Sequence, residues 1–387
     1  QYTTQEFHAD EDKYYICEYS LPNMTIQNLI TILDEWAPPA YAEDFDNVGL
    51  LVGDVKKECL GALITLDCTE DVMEEAIHKK CNLIISFHPI VFSGLKKITG
   101  KNYVERVVIK AIQNDIAILA LHTRLDNHPK GVNHALCSQL ELTNSQILIP
   151  KKGSLKKLST YVPKINVTKV LEALHQKGAG AIGNYSNCSF TSEGRGQFKG
   201  NDQSNPYLGD INNETSVEEV KIEVVFESYL EKIIQNTLQK VHPYETAAFE
   251  IFSLDNTNLE VGMGRIGTLK EPMEEKDFLS FVKKKLSTEL IRHSPLISKK
   301  IKKVAVLGGS GSFAIEEAKK QGANAFITSD LKYHQFYLGE NSLFLVDVGH
   351  YESEHFTKKM IYDYLTKKMP NFAFVLSSIK TNPVNYF

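Results

Sequence analysis

The chain contains 387 residues, of which 42% are hydrophobic and 24% are charged, and this length predicts more than one domain. Its 48 acidic and 43 basic residues give a net charge of -5, which argues against the basic surface of a nucleic-acid-binding protein. The longest apolar runs are far shorter than the roughly 20 residues of a membrane helix, so we expect no membrane partner.

The first 23 residues are polar and acidic and lack the features of a signal peptide. We therefore predict an extension over residues 1–23 and a folded body that begins at Met24. The six cysteines are widely spaced and form no Cys-x-x-Cys pair, which argues against a disulfide framework and a cysteine zinc site. This cysteine usage predicts a reducing, cytoplasmic location.

Residues 24–150 alternate between helical and strand patterns. A helix starts near Thr25, and Pro38 and Pro39 end it. The predicted strands that follow are CLGALITLD, NLIISFHP and IAILALHTRLD, and the predicted helices are CTEDVMEEAIHKKC, NYVERVVIKAIQND and the segment around GVNHALCSQL. This order predicts a mainly parallel sheet with right-handed crossovers.

Residues 151–260 have a different composition and a different order of elements. We predict a strand over 158–162, a helix over 167–177, a turn region over 178–193 and a long loop over 194–216. A strand (VEEVKIEVVFES), a helix (LEKIIQNTLQKV) and a strand (AAFEIFSL) follow. We interpret this segment as a ferredoxin-like α+β domain.

The α/β pattern returns from Lys302 in residues 261–387. The predicted strands are VAVLG, AFITSD, LFLVDVG and a closing AFVLSS, with helices between them. The predicted fold class is therefore α/β, with two similar halves at 24–150 and 261–387 that form one domain and are interrupted by the inserted domain.

Imidazole and carboxylate side chains follow three of the predicted parallel strands, where open α/β sheets place their ligands. Residues four apart on a helix share a face, so a helix starting at His350 would direct His350 and Glu354 at one ion. Such donors suit zinc, iron, manganese or nickel, and they predict a divalent metal site. The candidates are His88 after one strand, His122, Asp126 and His128 after the next, and His350 with Glu354 after the third.

A glycine-rich segment, VAVLGGSGSFA, offers three interpretations. Gly309, Gly311 and Ala314 fit the dinucleotide-binding pattern, with Asp330 where a ribose-binding acid would lie. A tight strand-to-helix turn explains the same glycines more simply. In the third interpretation, the backbone amides of Gly309, Ser310 and Gly311 hold a phosphate of the substrate.

Other polar residues lie near predicted strand ends. Asp46 and Asn47 fall at a predicted sheet edge, and helix capping is the simpler role for Asp67. Asp330 and His334 have helical spacing and are candidates for orienting a metal ligand or transferring a proton.

Six segments, in this order along the chain, resemble the Nif-three-like (NGG-one-interacting-factor-three) family, whose members are often called GTP cyclohydrolase 1 type 2 homologs. The segments are FDNVGLLVG, SFHPIVFSGLKK, HTRLDNHPKGVN, VAVLGGSGS, SDLKYH and DVGHYESE. The middle of the chain resembles the PII/CutA-like insert of the longer bacterial members in GAGAIGNYSNCSF, NPYLG and HPYETAAFEI. The resemblance covers nearly everything from Met24 onward.

The resemblance implies a dinuclear metal centre, with a carboxylate able to bridge two ions, inside a ring-shaped homohexamer. The family usually carries two adjacent histidines before a proline, and Phe87 occupies the first of these positions. Because phenylalanine cannot bind a metal, we expect one or two divalent ions per chain, with His122 or water as the substitute ligand. The ligands that the resemblance implies are His88, Asp126, His350 and Glu354.

The first functional hypothesis is a metal-dependent hydrolase of a nucleotide-like or phosphorylated small molecule, with His122, His334 and Asp330 as candidates for proton transfer. The alternative is a non-catalytic metal-binding regulatory or scaffold hexamer, in which the insert senses a ligand or a partner. A nicotinamide-dependent enzyme that uses the Gly309 loop is the third hypothesis.

Overall fold

The computed structural model of the protein describes residues 24–387, so the predicted extension over residues 1–23 lies outside it. The strands are β1 (Gly49–Val52), β2 (Ala62–Thr65), β3 (Leu83–Ser86), β4 (Ala117–Ala120), β5 (Thr143–Pro150), β6 (Leu155–Pro163), β7 (Phe190–Lys199), β8 (Glu214–Glu227), β9 (Phe249–Ser253), β10 (Gly262–Met273), β11 (Arg292–His293), β12 (Ile301–Ser310), β13 (Ala325–Ser329), β14 (Phe344–Asp347) and β15 (Phe374–Leu376).

Eleven α-helices accompany these strands in the described part of the chain. They are α1 (Ile26–Trp36), α2 (Glu70–His78), α3 (Tyr103–Gln113), α4 (Thr123–Asp126), α5 (Val132–Gln139), α6 (Val167–His175), α7 (Glu231–Val241), α8 (Glu275–Leu286), α9 (Ile315–Lys320), α10 (His350–Glu354) and α11 (Thr357–Lys368). None of these helices combines the length and the apolar character needed to span a bilayer.

The first sheet has the strand order β1-β4-β3-β2-β15. Strands β15, β2, β3 and β4 are parallel, and β1 closes the edge antiparallel to β4. All residues of β2, β3 and β4 are buried, because α1 and α11 cover one face of the sheet while α2 and α3 cover the other. Burial on both faces explains why these strands appear in the sequence as unbroken apolar runs.

The second sheet has the order β11-β14-β13-β12-β10-β5. Strands β12, β13 and β14 are parallel, and β5, β10 and β11 are antiparallel to their neighbours. Strands β5 and β10 and helix α8 were not predicted from the sequence. Strand β5 is partly exposed and β10 contains three glycines, so neither presents the apolar run or regular alternation of a typical strand.

The two α/β sheets exchange strands. Strand β5, which precedes residue 150, lies in the second sheet, and β15 returns from the end of the described chain to pair with β2 in the first. Both sheets therefore depend on residues from before and after the segment 151–260.

The third sheet is antiparallel, with the order β7-β8-β6-β9, and takes all its strands from residues 155–253. Its elements follow the order β-α-β-β-α-β, and α6 and α7 pack on one face. Residues 190–199 form strand β7, so the prediction of a turn and a loop over this stretch was wrong. The strand is polar and contains two glycines, but it pairs with β8 along its full length.

Candidate metal centre

Four of the predicted ligand residues follow strands of the two α/β sheets. His88 comes shortly after β3, and Asp126 ends α4, which begins three residues after β4. His350 and Glu354 are the first and last residues of α10, which follows β14. The helix thus begins where the sequence predicted, and it carries two candidate ligands on one face.

Three of these side chains converge on a common point. The Nε2 atoms of His88 and His350 lie 3.4 Å apart, although the two residues are 262 positions apart in the chain. Each Nε2 atom also lies 3.1 Å from Oε2 of Glu354. These three side chains form the only such cluster of potential metal-binding groups in the part of the chain that the structure describes.

The two imidazoles of the cluster, and that of the neighbouring His122, each contact an aspartate carboxylate. The Nδ1 atom of the ring contacts an aspartate oxygen, which leaves the Nε2 side of the ring directed away from that partner. Metal-binding histidines commonly have this arrangement, because the carboxylate fixes the ring and increases its basicity. The pairs are His88 with Asp67 (2.8 Å), His122 with Asp46 (2.8 Å) and His350 with Asp330 (2.6 Å).

The imidazoles and carboxylates of the cluster shift one another's pKa values. Burial lowers the pKa of His88, but the contacts with Asp67 and Glu354 outweigh it and raise the pKa to about 9. Burial is outweighed in the same way at His350, where Asp330 and Glu354 raise the pKa to about 11. For Glu354, burial favours the neutral acid, but the two imidazoles dominate and lower its pKa to about 2.

Two buried oxygen atoms indicate that a cation fits among these groups. Among the described residues, Oδ1 of Asp126 is buried without a hydrogen-bond partner, and Oε2 of Glu354 is buried with only the two imidazoles near it, at 3.1 Å and without hydrogen-bond geometry. An unpaired buried carboxylate oxygen is costly, and buried charges are normally paired or coordinate metals. Imidazole nitrogen and carboxylate oxygen are donors that divalent zinc, iron, manganese and nickel accept.

Asp126 lines the same cavity but does not belong to the close cluster of His88, His350 and Glu354. Burial and the charge of Glu354 raise its pKa well above the usual value for an aspartate. The helix α4 that carries it is anchored by Arg124, whose buried guanidinium donates to the carbonyl of Ala37 (2.7 Å).

His122 lies beside the cluster, with its ring centroid 5.4 Å from that of His88. Its backbone has φ +31°, a left-handed conformation that is strained for a residue with a side chain. Phe87 is fully buried behind the two imidazoles, with ring centroids 4.9 Å from His88 and 5.7 Å from His122. Phe87 therefore offers the site no metal ligand, and His122 lies outside the close cluster of His88, His350 and Glu354.

The glycine-rich segment makes room for the cluster. A Cβ atom at Gly309 would lie 2.4 Å from Oε1 of Glu354, and the residue has φ +69°. Its amide donates to Oγ of Ser353 (2.9 Å), and the amide of Gly308 donates to Asn133 (3.0 Å). The Gly309 amide, which one of the three interpretations assigned to a phosphate, is therefore already engaged.

The rest of that segment departs from the predicted strand-turn-helix unit. Strand β12 runs through Gly309 to Ser310, and Gly311 packs against Thr328, whose hydroxyl a Cβ atom would approach to 2.2 Å. Asp330 contacts the His350 ring instead of lying free for a ribose. The glycines are thus explained by close packing, which disfavours both the dinucleotide and the phosphate interpretations.

Three other sequence interpretations need correction. His334 is exposed, lies in a 3-10 helix over residues 333–339 and does not line the cavity. The helical spacing predicted for Asp330 and His334 is absent, because the 3-10 helix begins only at residue 333. His128 packs on Trp36 instead of facing the cavity, and burial lowers its pKa to about 4. Asp67 orients His88, and the following helix α2 is capped by Thr69.

A Gly309→Ala variant is expected to bind metal about tenfold more weakly, since disturbing the groups that orient metal ligands typically costs ten- to hundredfold in affinity. Gly322→Ala is the matched control, because Gly322 has φ +72° with nothing within 4 Å of an added Cβ atom. Both variants should lose about 1 kcal/mol of stability from the left-handed backbone, measured by chemical unfolding. Equal metal affinities in the two, measured by chelator competition, would contradict this assignment of Gly309.

The cluster opens into a cavity of about 810 Å³. Aromatic side chains stand at its walls, and Phe45, Phe92 and Phe313 are each more than half exposed. Arg292 is the only lysine or arginine among the lining residues of the described chain, and it pairs with Asp347. The cavity therefore combines acidic metal-type donors with exposed aromatic surface.

The chain is similar to a described protein family and to bacterial proteins over most of its length. A family model described as Duf34/NIF3 (NGG1p interacting factor 3) matches residues 24–383. A Bacillus subtilis protein named GTP cyclohydrolase 1 type 2 homolog is 40% identical over 369 residues, which cover 93% of this chain and 98% of that protein. A Staphylococcus aureus protein of the same name is 37% identical, over 94% of this chain and 100% of the relative.

A solved structure shows the same similarity. The crystal structure of a Bacillus cereus protein related to NIF3 matches with a TM-score of 0.84 and 34% identity, over 95% of this chain and 100% of the other.

Proposed function

The chain belongs to the Duf34/NIF3 (NGG1p interacting factor 3) family, and from this premise we propose that it is a metal-dependent hydrolase of a nucleotide-like or phosphorylated small molecule. The observation that carries the proposal is the convergence of two imidazole nitrogens and one buried carboxylate oxygen at the wall of an open cavity.

The residues that would hold the metal are His88, His350 and Glu354, and Asp126 in the wall of the same cavity is the proposed ligand for a second ion. A divalent ion bound there supplies Lewis acidity and makes a bound water more acidic. The ligands leave the cavity side of the cluster open, which is typical of catalytic rather than structural metal sites.

His122 is the proposed proton-transfer group. Its Nδ1 atom contacts Asp46, which also accepts hydrogen bonds from the backbone and hydroxyl of Thr123. Burial favours the neutral form of Asp46, but the contacts with His122 and Thr123 outweigh it and lower the pKa of the aspartate. Asp46 is thus held as an anion that fixes the His122 ring, with His122 in the cavity wall.

The substrate class is inferred from the cavity walls. The exposed rings of Phe45, Phe92 and Phe313 favour a molecule with a planar ring, which they can stack against. Arg292 is placed to meet an anionic group, although it shares its charge with Asp347. The name of the Bacillus subtilis relative, GTP cyclohydrolase 1 type 2 homolog, is consistent with a nucleotide-like substrate.

The test is turnover of a panel of nucleotides and phosphoesters by metal-loaded protein, chelator-treated protein and the His122→Gln variant. We expect metal-dependent turnover that falls by roughly a hundredfold in His122→Gln, the usual scale for loss of a general acid or base. The variant should retain its metal. Turnover that survives chelation, or that is equal in wild type and variant, would remove the proposal.

We propose a homohexamer, which light scattering on the purified protein tests directly. We propose a cytoplasmic location, supported by the free thiols of Cys59, Cys68, Cys81, Cys137 and Cys188. A hexamer that holds metal but turns over nothing in the panel would favour the non-catalytic regulatory or scaffold alternative.

A further inference from the structure

A second cavity, of about 660 Å³, lies on the third sheet and shares no lining residue with the metal cavity. Helices α6 and α7 pack against Ile222, Val224 and Phe226 of β8. Successive residues of a strand point to opposite faces, so Glu219 and Lys221 project from the face that these helices leave uncovered.

Glu219 is the buried charged group of this cavity, with only 9% of its surface exposed. The hydroxyl of Tyr244 donates to Oε1 of Glu219 (2.6 Å). Oε2 lies over the backbone of Gly196, where a Cβ atom would be 2.0 Å away. Within residues 24–387 this carboxylate forms no ion pair, and Oε2 receives no hydrogen bond.

Hydrogen bonds hold Tyr244 in the position from which its hydroxyl donates to Glu219. Burial and the neighbouring carboxylate raise the pKa of its hydroxyl, which therefore keeps its proton at neutral pH. The backbone amide of Tyr244 donates to Nδ1 of His242 (3.1 Å), and Nε2 of His242 contacts the carbonyl of Tyr161 (3.0 Å). The carboxylate is consequently presented on a rigid support.

Two more aromatic rings of the cavity wall lie close to Tyr244. The centroid of Tyr244 lies 6.1 Å from that of Phe198 and 6.3 Å from that of Tyr207. Aromatic faces attract cations, and a carboxylate within an aromatic surround is a typical site for an organic ammonium group.

The cationic residues near the cavity do not neutralise Glu219. Lys221 lies 3.0 Å from Glu223. Arg195 and Lys199 alternate with the glycines along β7, so they point to the opposite face of the sheet, where their partners in register are Glu218 and Glu214.

We propose that this cavity binds a small organic cation that carries N–H donors, such as a protonated amine or a guanidinium. Its charge pairs with Oε2 of Glu219, and its apolar part packs on Phe198, Tyr207 and Tyr244. An anionic ligand would lie against the carboxylate of Glu219, and a ligand without N–H donors would leave its Oε2 atom without a hydrogen bond.

The test is calorimetric or NMR titration of the full-length protein with benzylamine, phenethylamine and agmatine, and with benzyl alcohol as the neutral analogue. We expect saturable binding of at least one amine and none of the alcohol. Glu219→Gln keeps the size and the Tyr244 contact but removes the charge, so amine binding should weaken by about tenfold or more. Glu218→Gln, the neighbouring exposed glutamate on the other face, should bind like wild type.

Tyr207→Leu provides a second variant, since Tyr207 is about half exposed and its replacement leaves the core intact. It should weaken amine binding severalfold without changing the thermal unfolding of the protein. Removing metal with a chelator should leave the binding unchanged, which separates this site from the metal centre. The proposal is overturned if no amine saturates at millimolar concentration, or if Glu219→Gln and Glu218→Gln bind alike.

Discussion

The His350→Ala variant is expected to lose about a hundredfold or more in affinity for a divalent metal. Removing a residue that only orients a ligand typically costs 10- to 100-fold, so loss of a ligand itself should cost at least as much. In this protein the variant removes one of the two imidazoles that meet Glu354 and leaves that buried carboxylate with less compensation. Metal content after dialysis and competition with a chromophoric chelator measure the effect.

His334→Ala is the matched control, because His334 is an exposed histidine near the cavity but not part of its wall. It should retain wild-type metal affinity. Asp330→Asn should fall between the two variants, since Asp330 acts on the metal only through the His350 ring. If His350→Ala and His334→Ala bind metal equally well, the assignment of the centre fails.

The metal-free protein is expected to lose stability as the pH rises from 6.5 to about 9. His88 keeps its proton up to about pH 9 in the folded protein, against 6.5 for a free imidazole. The resulting stabilisation is fully present below pH 6.5 and disappears as the pH passes through the folded-state pKa. For a shift of this size the loss is on the order of 3 kcal/mol. Asp126, whose pKa is also raised, changes stability in the same direction.

Chemical unfolding of chelator-treated protein across this pH range measures the loss. Metal-loaded protein is the control, because its imidazole ligands are already deprotonated and its stability should change much less with pH. Metal binding near neutral pH should release about two protons, visible as a buffer-dependent heat of binding. A metal-free protein that is as stable at pH 9 as at pH 6.5 would contradict the raised pKa of His88.

The sequence could predict which ligands lie at strand ends, because buried parallel strands and a helix starting at His350 are local patterns. It could not predict the partners of the imidazoles. Asp46 and Asp67 are distant in the chain from the rings they contact, and an isolated aspartate before a helix is more often a cap. Only the tertiary arrangement distinguishes these roles.

The role of the glycine-rich segment also could not be predicted from the sequence. Its spacing matches a nucleotide-binding pattern, yet Gly309 is needed because the Glu354 carboxylate approaches the strand there. A glycine pattern reports close approach of backbone to some group but does not identify that group.

The fold was predictable where strands are apolar and buried on both faces, and unpredictable where strands are polar or rich in glycine. Strands β7 and β10 contain glycines and many polar residues, so their pairing with neighbours, and not their own composition, makes them strands. The exchange of β5 and β15 between the sheets also depends on long-range pairing, which a local pattern does not encode.

The 262 positions between His88 and His350 have a consequence for synthesis of the protein. A ribosome exposes the first imidazole long before the second, and the strand that completes the first sheet, β15, follows later still. Until the segment with His350 and Glu354 is synthesised, the nascent polypeptide holds only an incomplete set of donors. We therefore expect metallation to follow synthesis of this segment, so that the growing chain does not compete for metal before then.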